Sequence, residues 1–294
     1  MPIFEPLSYR LDIPANYPHA APSAPLVLDS PHSGTSYPPD FRASVDYGAL
    51  RTAEDTWVDD LWGDATDLGV PLLAAQFPRS YIDANRSDDE IDPLLLDSPW
   101  PGKQVDTPKV RLGKGLIWRM LDDGTPLYDR KLSVEEVQHR IDACWKPYYA
   151  RLGGLLDAAH ARFGKVWHIN CHSMPSVAGA FATDKPGLVH PDFVLGDRDG
   201  STGEPAFREF VAAWLRQRGY NVTVNDPYKG VELVRRFGHP EQGRNSLQIE
   251  INRKLYMDET TLRPSENYAQ LKAHLKGLTV DMLAWMRSQD GVKN

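Results

Sequence analysis

The chain has only two cysteines, Cys144 and Cys171, in 294 residues. Two thiols cannot build a disulfide framework, and such sparse use fits a reducing cytosol. No run approaches the roughly 18 consecutive apolar residues that a membrane-spanning helix needs, so no membrane partner is expected. Met1–Tyr9 lacks a basic stretch followed by an apolar one, so no signal peptide is expected and a cytoplasmic location is. Positive charge is in deficit: 33 Lys and Arg stand against 40 Asp and Glu, a formal charge of −7. That field opposes non-specific adhesion to nucleic acid, but it allows a small anion held by a few placed arginines. Internal repeats, low-complexity tracts and long linkers are also missing. The sequence leaves the oligomeric state open.

What is present is ordinary for a packed globular protein: 41 % apolar and 25 % charged residues. The 24 prolines and 22 glycines imply many turns rather than a helical bundle. Five short apolar runs read as strands: Ala24–Asp29, Val70–Phe77, Lys165–Asn170, Asn221–Asn225 and Ser246–Ile251. Most are nearly continuous, which suits strands covered on both faces. Helical patterns lie between them, over Ala53–Leu68, Ser133–Phe163, Glu204–Arg218 and Pro264–Arg287. Ser133 followed by Glu135 and Glu136 predicts an N-cap with an acidic first turn, and Gly219 predicts a helix stop. Alternating strands and helices predict an α/β fold, a mixed, largely parallel sheet flanked by helices. A single domain over residues 1–294 is expected. The stretch 86–131 fits no regular pattern, holds five prolines and reads as an irregular surface excursion over a site.

Ligands of open α/β sheets bind beyond the carboxyl ends of strands. Two expected strand ends carry a His-Ser pair, at His32-Ser33 and His172-Ser173. Two histidines in matching positions point to a metal site, and imidazole with carboxylate favours Zn²⁺ or a similar divalent ion. The carboxylate has two candidates, Glu54 and Asp55, either of which could instead cap the helix that follows. Asn85 and Arg86, after the second strand, offer an amide and a planar fork suited to a substrate carboxylate; a surface pair of Arg86 with Asp88 or Asp89 is the plainer alternative. Alternation along the fifth strand places Gln248, Glu250 and Asn252 on one face. A carboxylate inside an apolar strand is costly without a partner or a role. Glu250 is therefore either neutralised, for instance by Arg253, or a general base. His168 reads as a satisfied core histidine, His190 and His239 as solvated. Trp57, Trp62, Trp167 and Trp214 read as core. The GKG at 113–115 is not a phosphate loop.

Taken together, these residues resemble the N-formylglutamate amidohydrolase family. The matching segments are SPHSGTSYP at 30–38, AEDTWVDDL at 53–61, FPRSYIDANR at 77–86, NCHSMPS at 170–176, NDPYKG at 225–230 and LQIEINRKLYMDE at 247–259. That family is similar in architecture to zinc exopeptidases of the carboxypeptidase and aspartoacylase kind. The resemblance implies a zinc-exopeptidase-like (phosphorylase/hydrolase-like) fold and metal-dependent hydrolysis of N-formyl-L-glutamate to formate and L-glutamate, in histidine degradation. It implies His32 and His172 as metal ligands, Glu250 as base and Asn85-Arg86 as carboxylate clamp. The exopeptidases place their ligand glutamate three residues after the first histidine, where this chain has Thr35, so the third ligand falls to Glu54 or Asp55. Tyr228 and Lys229 are expected to line the site, Lys229 or Arg253 to meet a second carboxylate, and Arg119 to polarise a carbonyl. The expected partner is a small acidic N-acyl amino acid. The rival readings are a deacylase of another N-acyl amino acid or short peptide, and a non-catalytic binder of acidic metabolites.

Overall fold

The computed structural model describes residues 8–13, 22–180 and 186–292. Among these residues a seven-stranded sheet runs in the order β1-β3-β2-β4-β7-β5-β6. Its strands are β1 (Tyr9–Asp12), β2 (Leu26–Ser30), β3 (Leu72–Ala75), β4 (Val166–Met174), β5 (Phe193–Gly196), β6 (Val222–Val224) and β7 (Arg244–Asn252). β3-β2-β4-β7 is parallel throughout, and β5 pairs in parallel with β6. Only the β1–β3 and β5–β7 pairings are antiparallel, so the sheet is mixed and largely parallel. Five of the strands match the expected runs. β1 and β5, four residues each, were not among the expected runs.

The two central strands are longer than expected. β4 and β7 have nine residues each and pair over their whole length. His172 therefore lies inside β4 rather than past its end. Alternation then sorts the side chains. Trp167, Ile169 and Cys171 of β4, with Leu247, Ile249 and Ile251 of β7, join one apolar core beneath helices 205–216 and 268–287. The other face carries His168, Asn170 and His172, paired respectively with Ser246, Gln248 and Glu250. This face looks toward the second core, which includes Val27, Leu73 and helix 146–163.

The expected helix over 53–68 is shorter. Trp57 has φ +69° and a half-exposed ring, so a helix forms only over Val58–Leu61, followed by a 3₁₀ turn over Gly63–Leu68. Trp62, Trp167 and Trp214 are buried as expected. Ser133 and Glu136 form a reciprocal capping box. The helix they open passes through a π-helical turn over Ile141–Trp145 before continuing to Phe163. Pro147 has no N–H to offer the preceding turn, and the wider turn sits directly ahead of it. The 86–131 stretch contains only short helical pieces, at Pro93–Leu95 and Pro108–Arg111. It is not merely a surface excursion, because Ile91, Leu116, Ile117, Trp118 and Leu127 bury themselves in the second core.

Gly34, two residues after His32, lets the loop lie against the end of β3. Ser36 N–H donates to Gln76 O at 2.9 Å. A Cβ on Gly34 would stand 2.2 Å from Phe77 O and 2.6 Å from Gln76 C, both main-chain atoms that cannot swing aside. Gly34→Ala is expected to lose about 1–3 kcal/mol of stability in a denaturant titration, the usual cost of forcing extra atoms into a packed site. An unchanged midpoint would mean that the His32 loop can back away from β3 freely.

Candidate active site

His32 lies two residues beyond β2, and His172 lies in the neighbouring strand β4. Their rings meet edge to face with centroids 4.6 Å apart. Asp55 reaches the same point from the loop before Val58, its N–H bonded to His32 O at 3.0 Å. Ligand-type atoms of His32, Asp55 and His172 all lie within 4.8 Å of one another, and all three residues are buried. His172 Nδ1 is 3.0 Å from Asp55 Oδ2, and His32 Nδ1 is 3.3 Å from that same oxygen. The opposite ring nitrogens are anchored: His32 Nε2 on Asp83 Oδ1 at 2.7 Å, His172 Nε2 on Asn170 Oδ1 at 2.8 Å. His32 Nδ1 is buried with no hydrogen-bond partner among the described residues. Two nitrogens and a carboxylate converging on one point, one of them an orphaned buried atom, with polar groups fixing the far side of each ring, fit a divalent cation.

Charge within the cluster is balanced locally. Burial by itself would raise the Asp55 carboxyl, but the close approach of the His172 and His32 rings and the charge of Arg79 hold it well below the usual carboxylate range. Burial likewise opposes ionisation of Asp83, and the charges of Arg86 and Arg79, with the contact from His32 Nε2, overcome it. Arg79 spans the two acids, 3.5 Å from Asp55 Oδ1 and 3.3 Å from Asp83 Oδ2, and lies over the Trp118 ring. The Trp118 indole N–H donates to Asp83 at 3.1 Å. Arg253 donates to Asp55 Oδ1 at 3.2 Å and to Glu54 O at 2.6 Å.

A pocket opens in front of this cluster. His32, His172, Asn85, Arg86, Tyr228, Glu250 and Arg253 line it. Glu250 stands directly across the β4–β7 pairing from His172. Burial pushes its carboxyl up to about 7; the Asp55 charge adds to this while His172, Arg79 and Arg253 oppose it. Gln248 donates to Glu250 Oε1 at 2.8 Å. Arg86 is buried rather than paired at the surface, with Nε on Lys114 O at 2.9 Å and Nη1 on Asn85 O at 2.8 Å. Arg79, Lys109, Lys114 and Trp118 also face the pocket. Lys109 is pushed down to about 7, by desolvation first and then by the charges of Arg86, Arg79 and Lys114.

Three expected residues are placed elsewhere. Glu54 points away from the histidines, accepting from Tyr37 at 2.6 Å and Arg51 at 3.0 Å, because successive residues of that turn project to different sides. Asp55 is thus the acid that joins the cluster. Arg119 is held by Asp92 at 2.7 Å, outside this pocket. Lys229 extends into solvent and pairs with Asp199, while its neighbour Tyr228 takes the place on the pocket wall. His190, expected in solvent, is buried with Nδ1 against Pro175 O at 2.6 Å. His239 is exposed as expected. His168 is a satisfied core histidine, bonded to Asp29 and Ser246. Arg79, Lys109, Lys114 and Trp118 were missed. Arg79 sat within FPRSYIDANR, whereas the other three lie in the aperiodic 86–131 stretch, which gave no positional signal.

The N-formylglutamate amidohydrolase family matches residues 24–257 of this chain. N-formylglutamate deformylase of Pseudomonas aeruginosa is 30 % identical over 276 residues, 90 % of this chain and 95 % of that one. The crystal structure of N-formylglutamate amidohydrolase from Ralstonia eutropha JMP134 is 48 % identical, covers 96 % of this chain and 99 % of its own, and superposes with a TM-score of 0.89. The gene product Atu2144 of Agrobacterium tumefaciens shares the fold at 18 % identity and a TM-score of 0.63. The matched stretch contains the whole His32–Asp55–His172 cluster and every residue of its pocket, and the chain belongs to the N-formylglutamate amidohydrolase family.

Proposed function

We propose that this enzyme hydrolyses the formyl C–N bond of N-formyl-L-glutamate, releasing formate and L-glutamate, with a divalent metal, Zn²⁺ by preference, held by His32, Asp55 and His172. The observation that carries the reading is the convergence of both Nδ1 atoms and Asp55 Oδ2 on one buried point at the floor of a cation-lined pocket. A divalent cation there would supply Lewis acidity, lowering the pKa of a water and polarising the formyl oxygen. Glu250 accepts the proton of the attacking water and delivers it to the nitrogen as the C–N bond breaks. A carboxyl pushed up to about 7 suits both halves of that transfer, because it gains and loses a proton near neutrality.

The pocket also matches a dianionic amino acid. Arg86 receives one carboxylate, its fork fixed by two main-chain anchors before substrate arrives, while Asn85 beside it is committed to His172, Asn170 and Gln248 and supports the clamp through its own main-chain oxygen. Arg253 and the Lys109–Lys114 wall supply charge for the second carboxylate. These cations offset locally the repulsion that a net charge of −7 imposes on an incoming anion. By family resemblance the reaction belongs to histidine degradation. The two buried free thiols, Cys144 and Cys171, support a reducing cytosol as its location. Among the described residues no helix is long and apolar enough to cross a membrane.

Formate release from formyl, acetyl and formimino amino acids, run beside metal analysis, tests the reading. N-formyl-L-glutamate is expected to be turned over best; a metal-replete preparation inert toward the whole panel would sink it. The acidic pair separates by metal content. Asp55→Ala is expected to lose the metal, while Glu54→Ala keeps it and loses stability through the broken Tyr37 and Arg51 contacts. Retention in Asp55→Ala with loss in Glu54→Ala would reverse the assignment.

Glu250→Gln keeps shape but cannot take the proton. It is expected to retain metal and substrate binding while kcat falls by about two to four orders of magnitude. Native kcat in this variant would make the carboxylate structural. Arg86→Ala is expected to raise KM and lower kcat with metal content unchanged, since binding energy at the carboxylate orients the scissile bond. Kinetics that do not move would remove Arg86 from the clamp.

A further inference from the structure

We infer that Asn170 is a positioning residue that selects which ring nitrogen of His172 binds the metal; the inference rests on the metal site proposed above. Two side-chain amides crowd His172 Nε2. Asn170 Oδ1 is 2.8 Å away and Asn85 Nδ2 is 3.0 Å away. A nitrogen of neutral imidazole either donates or accepts, so Nε2 cannot satisfy both. Without a proton it would accept from Asn85 and turn a lone pair on Asn170 Oδ1. With a proton it donates to Asn170. Asn85 Nδ2 then has Asn170 Oδ1 at 3.4 Å and Gln248 Oε1 at 3.5 Å as its acceptors.

The orientation of the Asn170 amide decides between the two. Its Nδ2 donates to Asp29 Oδ1 at 2.8 Å. Turning the amide over would set oxygen against oxygen at that contact. Asp29 has no freedom to relieve the clash. Its Oδ1 also faces His168 Nε2 at 2.8 Å, and its Oδ2 accepts the Tyr148 hydroxyl at 2.7 Å. Asp29, Asn170 and His168 are fully buried, so solvent cannot substitute for a lost partner. Asn85 is equally fixed, because its Oδ1 accepts the Leu233 N–H at 3.0 Å. Asp29 therefore holds Asn170, and Asn170 holds the proton on His172 Nε2.

Nδ1, on the Asp55 side, is left as the ligating atom. His32 reaches the same polarity by a separate route. Its Nε2 faces Asp83 Oδ1, which also belongs to a carboxylate receiving the Asn85 N–H and the Trp118 indole, and its Nδ1 turns to Asp55. Both rings thus present Nδ1 to one carboxylate.

The test is ¹⁵N–¹H spectroscopy of the histidine rings in the Zn²⁺-loaded protein, together with Zn²⁺ affinity of the apoprotein. The native protein is expected to show a slowly exchanging His172 Nε2–H and a metal-bound Nδ1. Asn170→Leu keeps similar volume but has no acceptor. It is expected to lose the Nε2–H signal to exchange and to bind Zn²⁺ about 10–100-fold more weakly. A zinc-bound His172 carrying its proton on Nδ1 overturns the inference, as does Asn170→Leu with native affinity and native ring signals. Should that variant not fold, the native spectrum decides alone. A native protein that takes up no Zn²⁺ overturns the metal site and this inference with it, an outcome distinct from a wrong ring nitrogen on a loaded site.

Discussion

The pairing of β4 with β7 is the constraint on which the site depends. Both strands are buried along almost their whole length, so every polar side chain they carry must find its partners inside the protein. The register sets His168 against Ser246, Asn170 against Gln248 and His172 against Glu250. Polar groups therefore meet polar groups across one face, while the other face stays apolar and seals the core. A slip of one residue would drive His172 and Glu250 into the tryptophan-rich core, so register and chemistry are fixed together. The chain tolerates such a ladder only because its partners arrive from elsewhere. Asp29 comes from β2, Tyr148 from helix 146–163, and Asn85 from the loop beyond β3.

The same logic explains why the site concentrates charge. Asp55 and Asp83 are buried acids, and each is approached by a histidine and by Arg79. Removing either partner would leave an uncompensated charge in the interior, which is far costlier than losing a surface pair. The acids in turn hold Arg79 at the pocket wall, and Arg86 is held there by main-chain oxygens. A protein with net negative charge thus presents a cationic pocket without an overall field that would attract polyanions. The irregular 86–131 stretch contributes by packing rather than by regular structure. Trp118 reaches Asp83 from it, and Lys114 O anchors Arg86.

The sequence by itself determined the α/β class, five of the strands, the N-cap at Ser133 and the His-Ser pairs that marked the site. These rest on periodicities of two and of 3.6 residues and on local capping chemistry, all of which act over a few neighbours. Gln248, Glu250 and Asn252 were legible as one face for the same reason. The strands β1 and β5 were not; β1 is YRLD, a mixed polar edge strand with no apolar run to mark it. Only the tertiary structure decided between Glu54 and Asp55. Adjacent carboxylates have the same local chemistry, and which one meets the histidines depends on how the turn projects them into a space built by β2 and β4. It also replaced Arg119 and Lys229 with Arg79, Lys109 and Lys114 at the pocket wall, because a long cation can belong to any site its stem can reach, and its partner is chosen by packing over distances that no local pattern records.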